Sequence, residues 1–196
     1  MLAFLVRCEF RLNLLARFLS NIPNKTTPSH YKPNKKLSIM PYPATLIAYA
    51  FVKKGIEEGN PVTQMKLQKM VYFAHGYHLV KYGKPLLEEE FEAWKFGPVI
   101  PSIYQAYKLY GSQPILDVTL ISGLPELEIQ LANLDAKALD SIKYTWTVTK
   151  NIDALSLSAW SHSEGSPWAE AFKPNIHSIP IKNEKIEEYF SGILSN

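Results

Sequence analysis

The run LQKMVYFAHGYHL, residues 67–79, is apolar apart from Gln68, Lys69, His75, His78 and its tyrosines, and it sits inside a longer helical pattern. Thr63 is placed to act as N-cap, and Gly83 ends the pattern, which predicts a helix over about 64–82. Working upstream, apolar residues recur at helical spacing between Tyr42 and Glu58, and Gly59, Asn60 and Pro61 stop that segment. Downstream, GKPLLEEE reads as a turn, and EFEAWKF alternates enough for a short strand that Gly97 and Pro98 break. Pro98 and Pro101 then open a helix to about Tyr110, because proline is tolerated in a first turn. Residues 111–134 are expected to form a long connection holding short strands or a flap. Helices follow at about 135–149, 152–162, near Pro167–Phe172 and at 183–191. These segments predict a mainly α fold, a compact single α-helical domain with at most a small β element.

The chain has 196 residues, enough for one domain with a proper hydrophobic core. Its net charge of +3 is unevenly placed. Residues 1–39 hold seven basic residues and one acidic, net +6, while the remainder holds fourteen basic and seventeen acidic, net −3. A mildly acidic body is not the basic surface expected of a nucleic-acid binder. The opening MLAFLVRCEFRLNLLARFLS can form an amphipathic, arginine-bearing helix, but it is too short and too charged to span a bilayer. NIPNKTTPSHYKPNKKLS after it has the composition of a linker. Residues 1–39 are therefore expected to be a basic leader and disordered linker, with a membrane-surface role, a targeting role and a true start at Met40 as its competing explanations. The globular body is expected over 40–194, with no membrane association. Cys8 is the sole cysteine, which rules out an intramolecular disulfide and thiolate-rich metal sites and suits a reducing cytoplasm.

Residues able to carry chemistry are few. His75 and His78, three apart on a helix, could be joined by His162 and Glu164 as metal ligands or catalytic groups of a hydrolase or nuclease. The spacing lacks the HExxH arrangement that sets a base beside a zinc, and histidines among Tyr72, Phe73, Tyr77 and Leu79 are more often packed and hydrogen-bonded. Ser161 stands beside His162, but triads are assembled from distant segments. Glu88, Glu89 and Glu90 read as a solvated run, and no glycine-rich phosphate loop is present. Lysines interleaved with Tyr72, Tyr77, Tyr82 and Trp94 give DNA binding, as an autoregulator, a second alternative. From the residues alone we expect no catalytic residue, no metal and no cofactor, and the binding residues are not specified.

Taken together, MKLQKMVYFAHGYHLVKYGKPL at 65–86, EAWKFGPVIPSIYQAYKLYG at 92–111, LSAWSHSEGSPW at 157–168 and IPIKNEKIEEYF at 179–190 resemble the SocA-like Panacea antitoxin domain, a phage-associated family that also includes GepA-like proteins. The resemblance runs over the whole body and excludes residues 1–39. It implies an antitoxin, not an enzyme, that neutralises a cognate toxin protein by direct binding in the cytoplasm. Some members are adaptors that hand the toxin to a Clp-type protease, so that partner is implied as well. The positions matching the family pattern include Gln68, Lys69, Tyr72, His78, Trp94, Gly97, Pro98, Tyr104, His162, Glu164, Pro167 and Trp168. Ser161 stands where the family usually has threonine, and Met70 where leucine is common. Physically, most of these residues read as framework. Trp94 is expected to fill the core, Gly97 to take an unusual backbone angle, Pro98 to start a helix, and His162 with Glu164 to latch a loop that Trp168 plugs.

Overall fold

The computed structural model of the chain describes residues 41–176 and 178–194, so the leader and linker expected over 1–39 lie outside the described residues. In chain order the elements are α1 (Ala44–Glu57), α2 (Gln64–Tyr82), β1 (Phe91–Trp94), β2 (Gly97–Val99), α3 (Pro101–Tyr107) with a 3-10 turn (Lys108–Tyr110), α4 (Leu124–Ala132), α5 (Ala136–Thr149), α6 (Ala154–Ser161), α7 (Pro167–Ala171), β3 (Pro180–Ile181) and α8 (Asn183–Leu194). The fold is mainly α, as expected. Its β element is one antiparallel sheet in the order β2-β1-β3.

Helix α2 is the axis of the domain. The Thr63 side chain accepts from the Lys66 amide at its start, and Gly83, at φ 65°, closes its end in the left-handed region. Every residue from Lys66 to Leu79 is buried. A helix without a polar face must be enclosed on all sides, and α1, α3, α5, α6, α8 and β2 all pack on it. Its aromatic rings build the core: Tyr72 meets Phe91 and Phe190 edge-on, and Phe73 packs on Trp160 and Phe190. Gly76 is what lets α8 close. A Cβ there would lie 2.5 Å from the Phe190 ring, so only hydrogen fits.

Three of the later helices, α5, α6 and α7, start where side chains cap them. Asp135 accepts from the amides of Lys137 and Ala138, Asp153 from Ser156, and Ser166 from Ala169.

Three sequence expectations are corrected. Gly97 and Pro98 do not break the strand; Gly97–Val99 is itself a strand, paired with β1 in the register Trp94↔Gly97 and Glu92↔Val99. Consequently Pro98 does not open α3, whose first residue is Pro101. Proline is acceptable in β2 because this is an edge strand, where no ladder bond is missed on its outer side. Residues 111–134 hold a helix rather than strands or a flap. Gly123, at φ 74°, turns the chain, Pro125 sits in the first turn, and Leu124, Leu127 and Leu131 lean on the core. Glu128 fixes this helix to α1 by accepting from Tyr49 Oη and from Lys53 Nζ. The third correction concerns Trp94, which is only half-buried and forms a wall of the groove described below.

Candidate functional site

The hairpin β1–β2 turns through Lys95 and Phe96. Neither has positive φ, and Gly97 absorbs the reversal at φ 102°. Gly97 is also required for space: a Cβ there would lie 2.6 Å from Lys69 Nζ and 2.8 Å from Ser161 Oγ. An open strand edge is a template for unwanted pairing, and here side chains occupy it. Alternate carbonyls along the hairpin are each taken. Trp94 O accepts from Trp168 Nε1 at 2.7 Å, Phe96 O from Ser158 Oγ at 3.1 Å, and Pro98 O from Lys69 Nζ at 3.0 Å. At Ile100 the Gln68 amide imitates a neighbouring strand, its Nε2 donating to Ile100 O at 3.1 Å and its Oε1 accepting from Ile100 N at 3.0 Å.

This arrangement leaves the Lys69 amine inside the protein with a single carbonyl as acceptor and no carboxylate partner among the described residues. Burial pushes its pKa down to about 7. Nearby, the His162 ring stacks on Trp168 (centroids 3.7 Å apart), and Trp168 stacks on Phe172 at 4.7 Å. Burial first, then the Lys69 charge, lowers the His162 pKa, against a hydrogen bond with the Phe96 backbone that raises it.

Above these residues lies a groove of 1120 Å³. Its floor is the first turns of α2, with Gln64, Met65, Gln68 and Lys69. One wall is the hairpin with Trp94, Lys95 and Phe96, joined by Tyr104 of α3, whose ring leans on Trp94 at 5.2 Å. The other wall is Leu155 at the start of α6 together with Phe172, Pro174 and Ile176 after α7. Phe96 is 59% exposed and Leu155 73%. The lining is overwhelmingly apolar and, among the described residues, contains no aspartate or glutamate.

The residues weighed as catalytic or metal-binding are not brought together. His75 Nε2 lies 2.8 Å from Asn183 Oδ1 of α8, so that nitrogen carries the proton. His78 Nδ1 lies 2.8 Å from Ser141 Oγ of α5; that hydroxyl donates to Lys137 O, so His78 Nδ1 is the donor here. Both rings are fully buried, and burial drops both pKa values to about 4. Glu164 is exposed at the chain turn after α6. Among the described residues no three His, Cys, Asp or Glu side chains converge as metal ligands. Tyr72 is buried with its hydroxyl unpartnered, and burial raises its pKa. Pro167 is buried in the first turn of α7. Of the pattern residues, then, Gln68, Lys69, Trp94 and Tyr104 line the groove, while Gly97, Pro98, His162 and Trp168 shape its wall from behind. Leu155, Phe96 and Ile176 could not be singled out from sequence, although an exposed aromatic in a hairpin turn is the signal that marks Phe96.

An enclosed helix, a side-chain-locked hairpin and one large apolar groove define the site. The chain belongs to the antitoxin SocA-like, Panacea domain family, whose model matches residues 67–169. That span contains α2 from Leu67 onward, the hairpin, α6 and the His162–Trp168 stack, and stops short of the wall formed by Phe172–Ile176. Over 129 residues the chain is 33% identical to "Antitoxin SocA" of Caulobacter vibrioides (strain NA1000 / CB15N), covering 64% of this chain and 68% of that protein. No solved structure matches the chain. Among the described residues no helix is long and apolar enough to cross a membrane.

Proposed function

We propose that this protein is an antitoxin that neutralises a cognate toxin protein by direct binding, and that the groove between the hairpin and α6 is where the toxin docks. The observation that carries this reading is the groove itself. Exposed Phe96, Tyr104, Leu155 and Ile176 surround an apolar channel large enough for a protein segment, and aromatic anchors of this kind dominate binding energy at interfaces. The framework residues of the family pattern hold this surface in shape without supplying chemistry. Gln68, Lys69 and Trp168 lock the hairpin, and the two core histidines are engaged with Asn183 and Ser141. No catalytic step is assigned to any of them.

The test is genetic and direct. The reading frame beside this gene should arrest growth when expressed alone, and co-expression of this protein should restore it. Phe96→Asp and Leu155→Asp variants, both at exposed positions and folded by circular dichroism, should fail to rescue. Full rescue by both would remove the groove from the mechanism, and absence of rescue by the folded wild type would remove the antitoxin reading. Handover to a Clp-type protease is the finer form of the proposal. It expects the toxin half-life to shorten in the presence of this protein and to recover in cells lacking the protease; an unchanged half-life leaves direct masking as the whole mechanism.

A further inference from the structure

We propose that the groove is built to receive an apolar segment of the partner protein that carries one acidic side chain, and that the Lys69 ammonium is the counter-ion for that carboxylate. This rests on the docking reading above and adds what the docked segment must contain.

Three observations lead to it. Among the described residues the groove lining contains two lysines, Lys69 on the floor and Lys95 at the hairpin turn, and no acidic residue. Lys69 is about 1% exposed, and a lysine ammonium has three donors, of which Pro98 O takes one. A charge removed from water without a counter-charge is costly, so a buried amine either gives up its proton or takes an anion as partner. The other buried lysine-to-carbonyl contact among the described residues differs in setting: Lys66 Nζ reaches Lys150 O away from the groove floor and has Asp153 acting on it electrostatically. Lys69 has nothing comparable. Holding Pro98 O needs only one neutral donor; the two spare donors and the missing counter-charge match a carboxylate arriving from outside.

The remaining charged or titratable groups on the elements packed around Lys69 are already committed or of the same sign. Glu92 on β1 accepts from Trp94 Nε1 at 2.7 Å. His162 at the end of α6 is held less basic by burial and by Lys69 itself. Lys95 adds positive charge at the mouth, and Glu170 of α7 pairs with Lys185. The amine, with its pKa near 7, is largely neutral in the free protein at alkaline pH; an incoming carboxylate favours the ammonium, so binding takes up a proton.

The experiment uses the full chain and the purified product of the adjacent reading frame. Titration calorimetry at pH 7.5 in two buffers of different ionisation enthalpy should report proton uptake approaching one per complex. Raising the pH from 6.5 to 8.5 should weaken binding roughly tenfold or more. Lys69→Met should bind at least roughly tenfold more weakly at pH 6.5, lose the proton uptake and flatten the pH profile. Among Glu→Gln and Asp→Asn changes in the partner, one should reproduce the Lys69→Met loss and add nothing to it in the double variant. Wild-type affinity and an unchanged pH profile in folded Lys69→Met, with binding still abolished by Phe96→Asp, overturn the ion pair and leave the docking reading standing. If Phe96→Asp also binds normally, both fall. A loss that maps to the partner's terminal carboxylate instead overturns the acidic-side-chain form. Should Lys69→Met not fold, absence of proton uptake in the wild type is itself the refuting result.

Discussion

Lowering the pH from 7 to 4 should selectively weaken this domain through His75. The ring is buried, bonded through Nε2 to Asn183, and its pKa falls from 6.5 to about 4 because burial opposes the charged form. Between those two values the unfolded chain takes up a proton that the native protein refuses. The stabilisation is therefore complete above about pH 6.5, is lost progressively as the pH falls, and loses nothing further below about 4. A displacement of this size corresponds to roughly 3 kcal/mol at about 1.4 kcal/mol per pH unit, a large part of the ~5–15 kcal/mol typical of a whole domain. His78 shifts in the same direction, for the same first cause, and adds to the loss in the same window. Urea unfolding followed by tryptophan fluorescence at pH 7, 6, 5 and 4 should be run on wild type and on His75→Gln, which keeps an amide donor toward Asn183. The stability advantage of the wild type over the variant should shrink by about 3 kcal/mol across the series. An advantage that stays constant within about 0.5 kcal/mol would refute the reasoning, because it would mean the imidazole titrates alike in both states.

Two further outcomes follow from the packing. Gly76→Ala should destabilise the domain by about 2 kcal/mol or more despite alanine's better helix propensity, because its methyl meets the Phe190 ring at 2.5 Å; an unchanged thermal midpoint would mean that α8 does not close where it is placed. Lys69→Met should change the pH dependence of stability in the alkaline direction. With its folded pKa lowered from 10.5 to about 7, wild-type Lys69 opposes folding most below pH 7, and the wild type gains stability relative to the variant as the pH rises through 7–10, by up to about 1.4 kcal/mol per unit; parallel denaturation curves for the two proteins would exclude the depressed pKa.

Where the sequence carried local instructions, the fold could be read from it. Thr63 and Gly83 bracket α2 at both ends, and the helices expected near 135, 152 and 167 are present, with Asp135, Asp153 and Ser166 found in the structure as their caps. Helix α4 was missed because it begins at a left-handed glycine rather than a side-chain cap and shows few apolar positions to the core. The hairpin was misread because Gly97 and Pro98 are turn residues by habit, and only the sheet order, which puts β2 at an edge, shows that Pro98 is acceptable in a strand. The groove was invisible for a different reason. Its surfaces come from α2, the hairpin, α6 and the segment after α7, and no local periodicity reports which side chains of four separated segments face one another. The histidine pair, conspicuous in sequence, turned out to point at two different helices.

The complete enclosure of α2 also constrains how the chain is made. Phe190, which covers Gly76, is synthesised 114 residues after it, so for most of translation α2, buried from Lys66 to Leu79 in the finished fold, has no lid on that side. Contacts that span so much of the chain form late, and an uncovered apolar helix is a point of self-association while they are awaited. A premature stop ahead of α8 would thus yield no shorter working domain but a nascent chain with its axis laid bare, which makes the last helix decisive for the yield of folded protein.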